Sequence, residues 1–227
     1  LNLKNFHTEN VVDMNRMFNL CENLKRIDFG IFDTKNVKDM TEMFRECTQL
    51  ESIDVSSFDV DKVTSFNSMF ILDKKLTKLD LSNFVPKNAK DFRKMFSGCS
   101  NLISLDISRF ETNQAVYMGR MFYGCQSLTS LDLSSFITGN VIDMDSIFSG
   151  CYSLRSLDLS KCNATSVINM NNMFFSCSSL KELDLSSFKT PDLLYFESTF
   201  NNCSSLERIN LQNIYTGLVT NLITLLD

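Results

Sequence analysis

The chain has 227 residues, 44% hydrophobic and 22% charged, with a formal net charge of -5 and a sequence pI near 5.0. That is enough material for a substantial core and the wrong sign for the broad basic surface that nucleic acid or anionic lipid requires. Its 7 glycines form no GxGxxG or GxxxxGKS/T loop, and its single histidine, His7, leaves nucleophile–base schemes and His-rich zinc sites without parts.

The chain opens on LNLKNF, without an initiator methionine or a signal-like start, in the middle of a phrase that is complete elsewhere. The expectation is an excerpt of a longer protein. No apolar run reaches the roughly 18 residues that a membrane helix needs.

The complete phrase reads SLTSLDLSSF at 127–136 and returns as KLTKLDLSNF, SLRSLDLSKC and SLKELDLSSF. Phe6, Phe32, Phe58, Phe84, Phe110, Phe136, Cys162, Phe188 and Ile214 close successive phrases at a spacing of 26 residues without insertion or deletion. Phe18, Phe44, Phe70, Phe96, Phe122, Phe148, Phe174 and Phe200 keep the same period. Such a strict period predicts a solenoid whose units bury their apolar faces by stacking. Residues 1–227 are expected to form a single solenoid domain of about eight full repeats and a partial ninth, with no linker.

Within one unit, Leu128-x-x-Leu131-x-Leu133 alternates as a strand does, leucines inward and Asp132 outward. A turn follows, and then Val141, Met144, Ile147, Phe148 and Cys151 fall on one stripe of a short helix. Asn10, Asn36, Asn88, Asn140, Ser166 and Asp192 occupy the position of an N-cap that would accept free amides. Asp13, Asp39, Asp91 and Asp143 would place charge in the first helical turn, and Gly98, Gly124 and Gly150 would stop the helix in a left-handed conformation. The predicted fold is therefore α/β, a leucine-rich-repeat-like solenoid with one parallel strand and one short helix per 26-residue repeat. Strands stack about 4.8 Å apart whereas helices need about 8–10 Å, so the stack is expected to curve into a horseshoe with its strands on the concave side.

LxxLDLSxF followed by NVxxMxxMFxGCxxL resembles, over essentially the whole chain, the repeat of bacterial surface proteins, a branch of the BspA-like leucine-rich-repeat family. The resemblance implies a cell-surface or lipoprotein-like array linked to adhesion and host or matrix contact, with no catalytic residues and no cofactor. The copies depart from the pattern at Ile71-Leu72-Asp73, where GC is expected, at Cys162, and in the ninth unit, LVTNLITLLD, which keeps the stripe but ends before any cysteine.

Seven cysteines, from Cys21 to Cys203, share one repeat position. A linear spread opposes both a metal centre and disulfides, so they read as small buried hydrophobes. Cys162, on the strand side, should be a free thiol. The Met-Phe pairs read as core.

The candidate site is the ladder Asp28, Asp54, Asp80, Asp106, Asp132, Asp158 and Asp184, continued by Asn210, with serines two residues on and Arg109 on the flank. Adjacent carboxylates at strand spacing should repel by about 1 kcal/mol per pair, so something must offset them. Serine hydroxyls and amides of adjacent turns would do so in a structural ladder. Alternatively the strip attracts cations, a partner's Lys and Arg side chains or calcium, although nothing else in the sequence supports calcium. The resulting expectation is a non-enzymatic protein-interaction module at the cell surface, binding protein through its acidic Asp/Ser strip, with neither nucleic acid nor membrane insertion. The alternative is a scaffold subunit of a large intracellular or appendage-associated assembly.

Overall fold

Leu79 and Leu105 lie opposite one another in the first of three ladders that join each coil of the chain to the next. The computed structural model describes residues 1–226. β1 (Lys78–Asp80) pairs in parallel with β2 (Ser104–Asp106), and β3 (Glu182–Asp184) pairs in parallel with β4 (Arg208–Asn210). Leu79, Leu105 and Leu183 point into the core while the residues on either side are exposed, as the period of two requires. Asn2 bridges Asp28 in the same register. The second ladder is a series of parallel bridges running Asp13, Asp39, Ser65, Asp91, Tyr117, Asp143, Asn169 and Tyr195.

The third ladder occupies the place of the expected helix, and it contains no helix. In the second coil, Met43 N donates to Met40 O at 3.2 Å, Arg45 N to Glu42 O at 3.1 Å and Cys47 N to Phe44 O at 3.2 Å, a chain of overlapping β-turns. Glu42 and Glu46 have φ of 54° and 57°, a positive value at the third turn position as type II turns demand. The alternate amides are free to leave the coil. Met40, Glu42, Phe44 and Glu46 donate to the carbonyls of Ser65, Asn67, Met69 and Ile71 on the following coil, at 2.8–3.1 Å. An α-helix would spend those amides internally; here they join coils. The apolar spacing of three and four that mimics a helical stripe arises because successive turns also return a side chain to the core every three or four residues.

The proposed helix-end signals are corrected accordingly. The Asn register does not accept amides: Asn36, Asn88 and Asn140 donate their side-chain amides to the carbonyls of Glu9, Asp61 and Asn113 on the preceding coil, and Ser166 donates its hydroxyl to Gly139. Asp13, Asp39, Asp91 and Asp143 instead accept the amide two residues on and open the turn series. Gly98, Gly124 and Gly150 do adopt positive φ, but they close turns rather than a helix.

The core is built around one continuous aromatic column, packed with leucine, methionine and the closing phenylalanines. Phe18, Phe44, Phe70, Phe96, Phe122, Phe148, Phe174 and Phe200 stack in sequence at centroid separations of 5.4–6.0 Å. Each near-parallel pair adds about 0.5–1.5 kcal/mol beyond the area it buries. The expected horseshoe rests on helices about 8–10 Å apart facing strands about 4.8 Å apart, and a turn ladder hydrogen-bonded from coil to coil stands where those helices are expected. The stacked solenoid of 26-residue coils holds; the helical layer does not.

Candidate functional site

The Asp/Ser strip forms where the strand register leaves the core and turns. Leu131 and Leu133 are buried and Asp132 between them is exposed. Its Oδ1 accepts the Ser134 amide at 2.9 Å. The same closure recurs at Asp54–Ser56, Asp80–Ser82, Asp106–Ser108, Asp158–Ser160 and Asp184–Ser186, at 2.8–3.1 Å. Asn210 does likewise for Gln212 at 3.1 Å. In Ser56 and Ser108 the hydroxyl adds a second bond to the same oxygen, at 2.6 and 2.7 Å.

The carboxylates are therefore held by serines of their own coil and not by those of adjacent turns. The electrostatics follow. The Ser56, Ser82, Ser134 and Ser186 side chains, with the amides of the same residues, hold Asp54, Asp80, Asp132 and Asp184 below the usual carboxylate range, and at Asp158 the Ser160 amide leads. Repulsion from the next carboxylate, Asp80 upon Asp54 and Asp158 upon Asp132, is the smallest contribution. Exposure to water screens it, whereas each local hydrogen bond acts at contact. Among the described residues no side chain or amide hydrogen-bonds the Oδ2 of Asp54, Asp80, Asp106, Asp132 or Asp158. A rigid row of acceptors results.

Not every expected member is equivalent. Asp28 already pairs with Lys4 at 3.1 Å. Of the flanking arginines, Arg26 pairs with Glu51 at 3.7 Å and Arg208 with Glu182, so the ends of the strip are internally neutralised. Arg109 is exposed and makes no ion pair among the described residues. Shallow grooves run between coils on this face. One of about 520 Å³ lies between Asp106 and Asp132, and one of about 310 Å³ between Asp158 and Asp184.

Among the described residues no three His, Cys, Asp or Glu side chains converge as metal ligands, and no helix is long and apolar enough to cross a membrane. The eight cysteines are free. The register from Cys47 to Cys203 donates each thiol to the phenylalanine carbonyl 29 residues earlier, at 3.0–3.2 Å, where Cys is present. Cys162 is buried beside Thr138, and burial pushes its thiol up to about 12. A further element escaped the sequence reading: Thr8, Thr34, Thr112, Thr138 and Thr190, two residues past the closing phenylalanine, are buried and donate to carbonyls of the next coil. Their recurrence at that one position was the available signal.

The model of the family described as "Mycoplasma protein of unknown function, DUF285" matches residues 1–104, 72–182 and 129–226. No curated protein matches the chain. Among solved structures, it is similar to a leucine-rich repeat protein of T. pallidum, at 16% identity and a TM-score of 0.48, over 87% of this chain and 72% of that one. It is also similar to a leucine-rich repeat protein of Bacteroides ovatus, at 18% identity and a TM-score of 0.32, over 94% and 78%. A leucine-rich cell surface protein of Faecalibacterium prausnitzii matches at 15% identity and a TM-score of 0.28, over 97% and 83%. Such low identities and scores transfer no function.

Proposed function

We propose that this chain, which belongs to the DUF285 family, is a non-enzymatic protein-interaction module that works at the cell surface and binds the Lys and Arg side chains of a protein partner along its Asp/Ser strip. One observation carries the reading: five carboxylates, from Asp54 to Asp158, are each fixed through Oδ1 while Oδ2 remains available. Neighbouring coils lie well within a Debye length of about 8 Å at physiological salt, so their potentials add along the strip. A row of fixed acceptors suits an extended basic segment better than a single ion, because no three carboxylates converge among the described residues. Adhesion, kinship with BspA-like surface arrays and the action of residues 1–227 as one solenoid unit belong to the same proposal.

The test is calorimetric titration with an arginine-rich peptide at low and physiological salt, using the chain and its Asp106→Asn, Asp132→Asn, Asp158→Asn triple variant. Asn210 already closes the same turn through its amide oxygen, so the variant should fold. Salt-sensitive binding that the triple variant loses supports the reading; equal binding by both forms would overturn it.

A second reading, a scaffold subunit, draws on a different face. Tyr117, Ile168, Leu194 and Tyr195 are exposed along the bridge ladder, where the first coils carry Lys38, Asp39, Lys90 and Asp91. Protection of this apolar flank from solvent labelling in native extracts would favour a fixed lateral partner over the free acidic strip.

A further inference from the structure

Asp73 is the one residue that replaces cysteine in the buried register, and it is fully enclosed. Neither of its carboxyl oxygens has a hydrogen-bond partner. Buried polar groups are almost always paired, and an unpaired charge in such a place is far costlier than an unpaired neutral group.

The neighbouring coils show what belongs there. The Phe18 carbonyl accepts two hydrogen bonds, the Cys21 amide at 3.2 Å and the Cys47 thiol at 3.2 Å. Two repeats on, the Phe70 carbonyl likewise accepts two, the Asp73 amide at 3.3 Å and the Cys99 thiol at 3.0 Å. Between them the Phe44 carbonyl accepts the Cys47 amide at 3.2 Å but has no thiol, because the residue 29 positions later is Asp73. A carbonyl has two lone pairs, and a protonated carboxyl has one O–H to give. The singly used acceptor and the unpaired acid stand at corresponding places in the ladder.

We propose that Asp73 is neutral in the folded array, that its carboxyl proton replaces the thiol proton toward the Phe44 carbonyl, and that its ionisation makes the third coil a pH-sensitive seam. The surroundings favour the neutral form. Cys47 and Cys99 flank Asp73 on the two adjoining coils, both as buried thiols, and the nearby charge is the Glu46 carboxylate. Lys74 and Lys75 follow in sequence but are exposed. Burial pushes the carboxyl well above its ordinary 3.8; the nearby Cys47 amide opposes this and Glu46 adds to it. The same coil holds Leu72 at a φ of 63°, where the next three coils have glycine, so local strain coincides with the titrating group.

The sign is fixed by linkage. Above 3.8 the unfolded chain releases the proton that the folded chain retains, so this group's contribution is fully present below 3.8 and is lost as pH rises toward the folded value. Hydrogen exchange of the Glu46 and Leu72 amides, which join the third coil to its neighbours, reads the effect once intrinsic exchange rates are divided out. Protection should fall by up to about tenfold per pH unit above pH ~4 in the wild-type chain. It should lose that dependence in Asp73→Cys, which restores the array's own residue, and in Asp73→Asn, whose amide donates without titrating. Identical pH profiles in the wild type and both variants would overturn the proposal, and either variant suffices if the other does not fold.

Discussion

Phe122 and Phe148, one repeat apart, stack with centroids 5.6 Å apart and planes 3° from parallel. Each is also sandwiched on its other side, by Phe96 at 5.7 Å and Phe174 at 5.6 Å. Removing either ring opens a cavity that two rigid neighbours cannot fill. Phe122→Ala and Phe148→Ala should each cost about 3–5 kcal/mol, whereas Phe6→Ala, at an exposed ring, should stay within about 0.5 kcal/mol. Urea denaturation measures the difference; a loss below about 1 kcal/mol at Phe122 would contradict a column in which every ring supports its neighbours.

The serine-closed aspartates set the acid limb of stability. Asp54, Asp132 and Asp184 have folded values below 3.8. Their contribution is therefore present above that value and lost as pH falls through the folded values, opposite in sign to Asp73. Thermal melts between about pH 5 and about pH 2, which bracket the ordinary carboxylate range, should show the wild type losing stability. Asp54→Asn, Asp132→Asn, Asp184→Asn should flatten that limb from a lower neutral-pH melt, because the charged acceptors that stabilise the wild type above 3.8 are gone at every pH. A triple variant with the wild-type acid slope would show that these turns are not the responsible groups.

Thiol chemistry should follow burial. Burial pushes Cys47, Cys151 and Cys162 up to about 12 and Cys203 to about 11, so little thiolate is present at neutral pH. Brief alkylation followed by mass spectrometry should modify the half-buried Cys21 and Cys203 first. The six buried thiols should react only on unfolding. Rapid native labelling of Cys125 would contradict its packing.

The period, the inward leucines and the outward aspartates were legible because each is a position-specific demand that recurs in every coil. The turn ladder was not. Val141, Met144, Ile147, Phe148 and Cys151 satisfy a helical stripe and a chain of β-turns equally well, since both bring a side chain inward every three or four residues. What separates them is the two residues at positive φ in each full coil. The first position holds Arg16, Glu42, Ser68, Lys94 and Arg120 rather than glycine, and the second holds Gly98, Gly124 and Gly150 but Leu20, Glu46 and Leu72 in the coils before them. The non-glycine side chains carry no turn signature, because inter-coil hydrogen bonds, not local propensity, hold the backbone there. The strip's partners were misassigned for a related reason: the motif places Ser134 two residues from Asp132, which is the spacing of a local Asx turn, and the repeat drew attention to neighbours a whole coil away.

Gly98 and Gly124 occupy one register, with φ of 74° and 68°, but their surroundings differ. A Cβ at Gly124 would meet nothing closer than the Gly98 Cα at 3.7 Å, while one at Gly98 would lie 2.5 Å from Leu72 Cδ2. Gly124→Ala should therefore cost only left-handed strain, about 1–2 kcal/mol. Gly98→Ala carries the same strain and must also displace Leu72, so it should cost more. Leu72→Ala removes the obstructing methyl. If the clash is the added penalty, Gly98→Ala introduced into Leu72→Ala should cost no more than Gly124→Ala, and the double-mutant cycle should show a coupling of about 0.5–3 kcal/mol. Additive losses at Gly98 and Leu72 would instead mean that the third coil adjusts freely, which would also weaken the case for strain at the Asp73 seam.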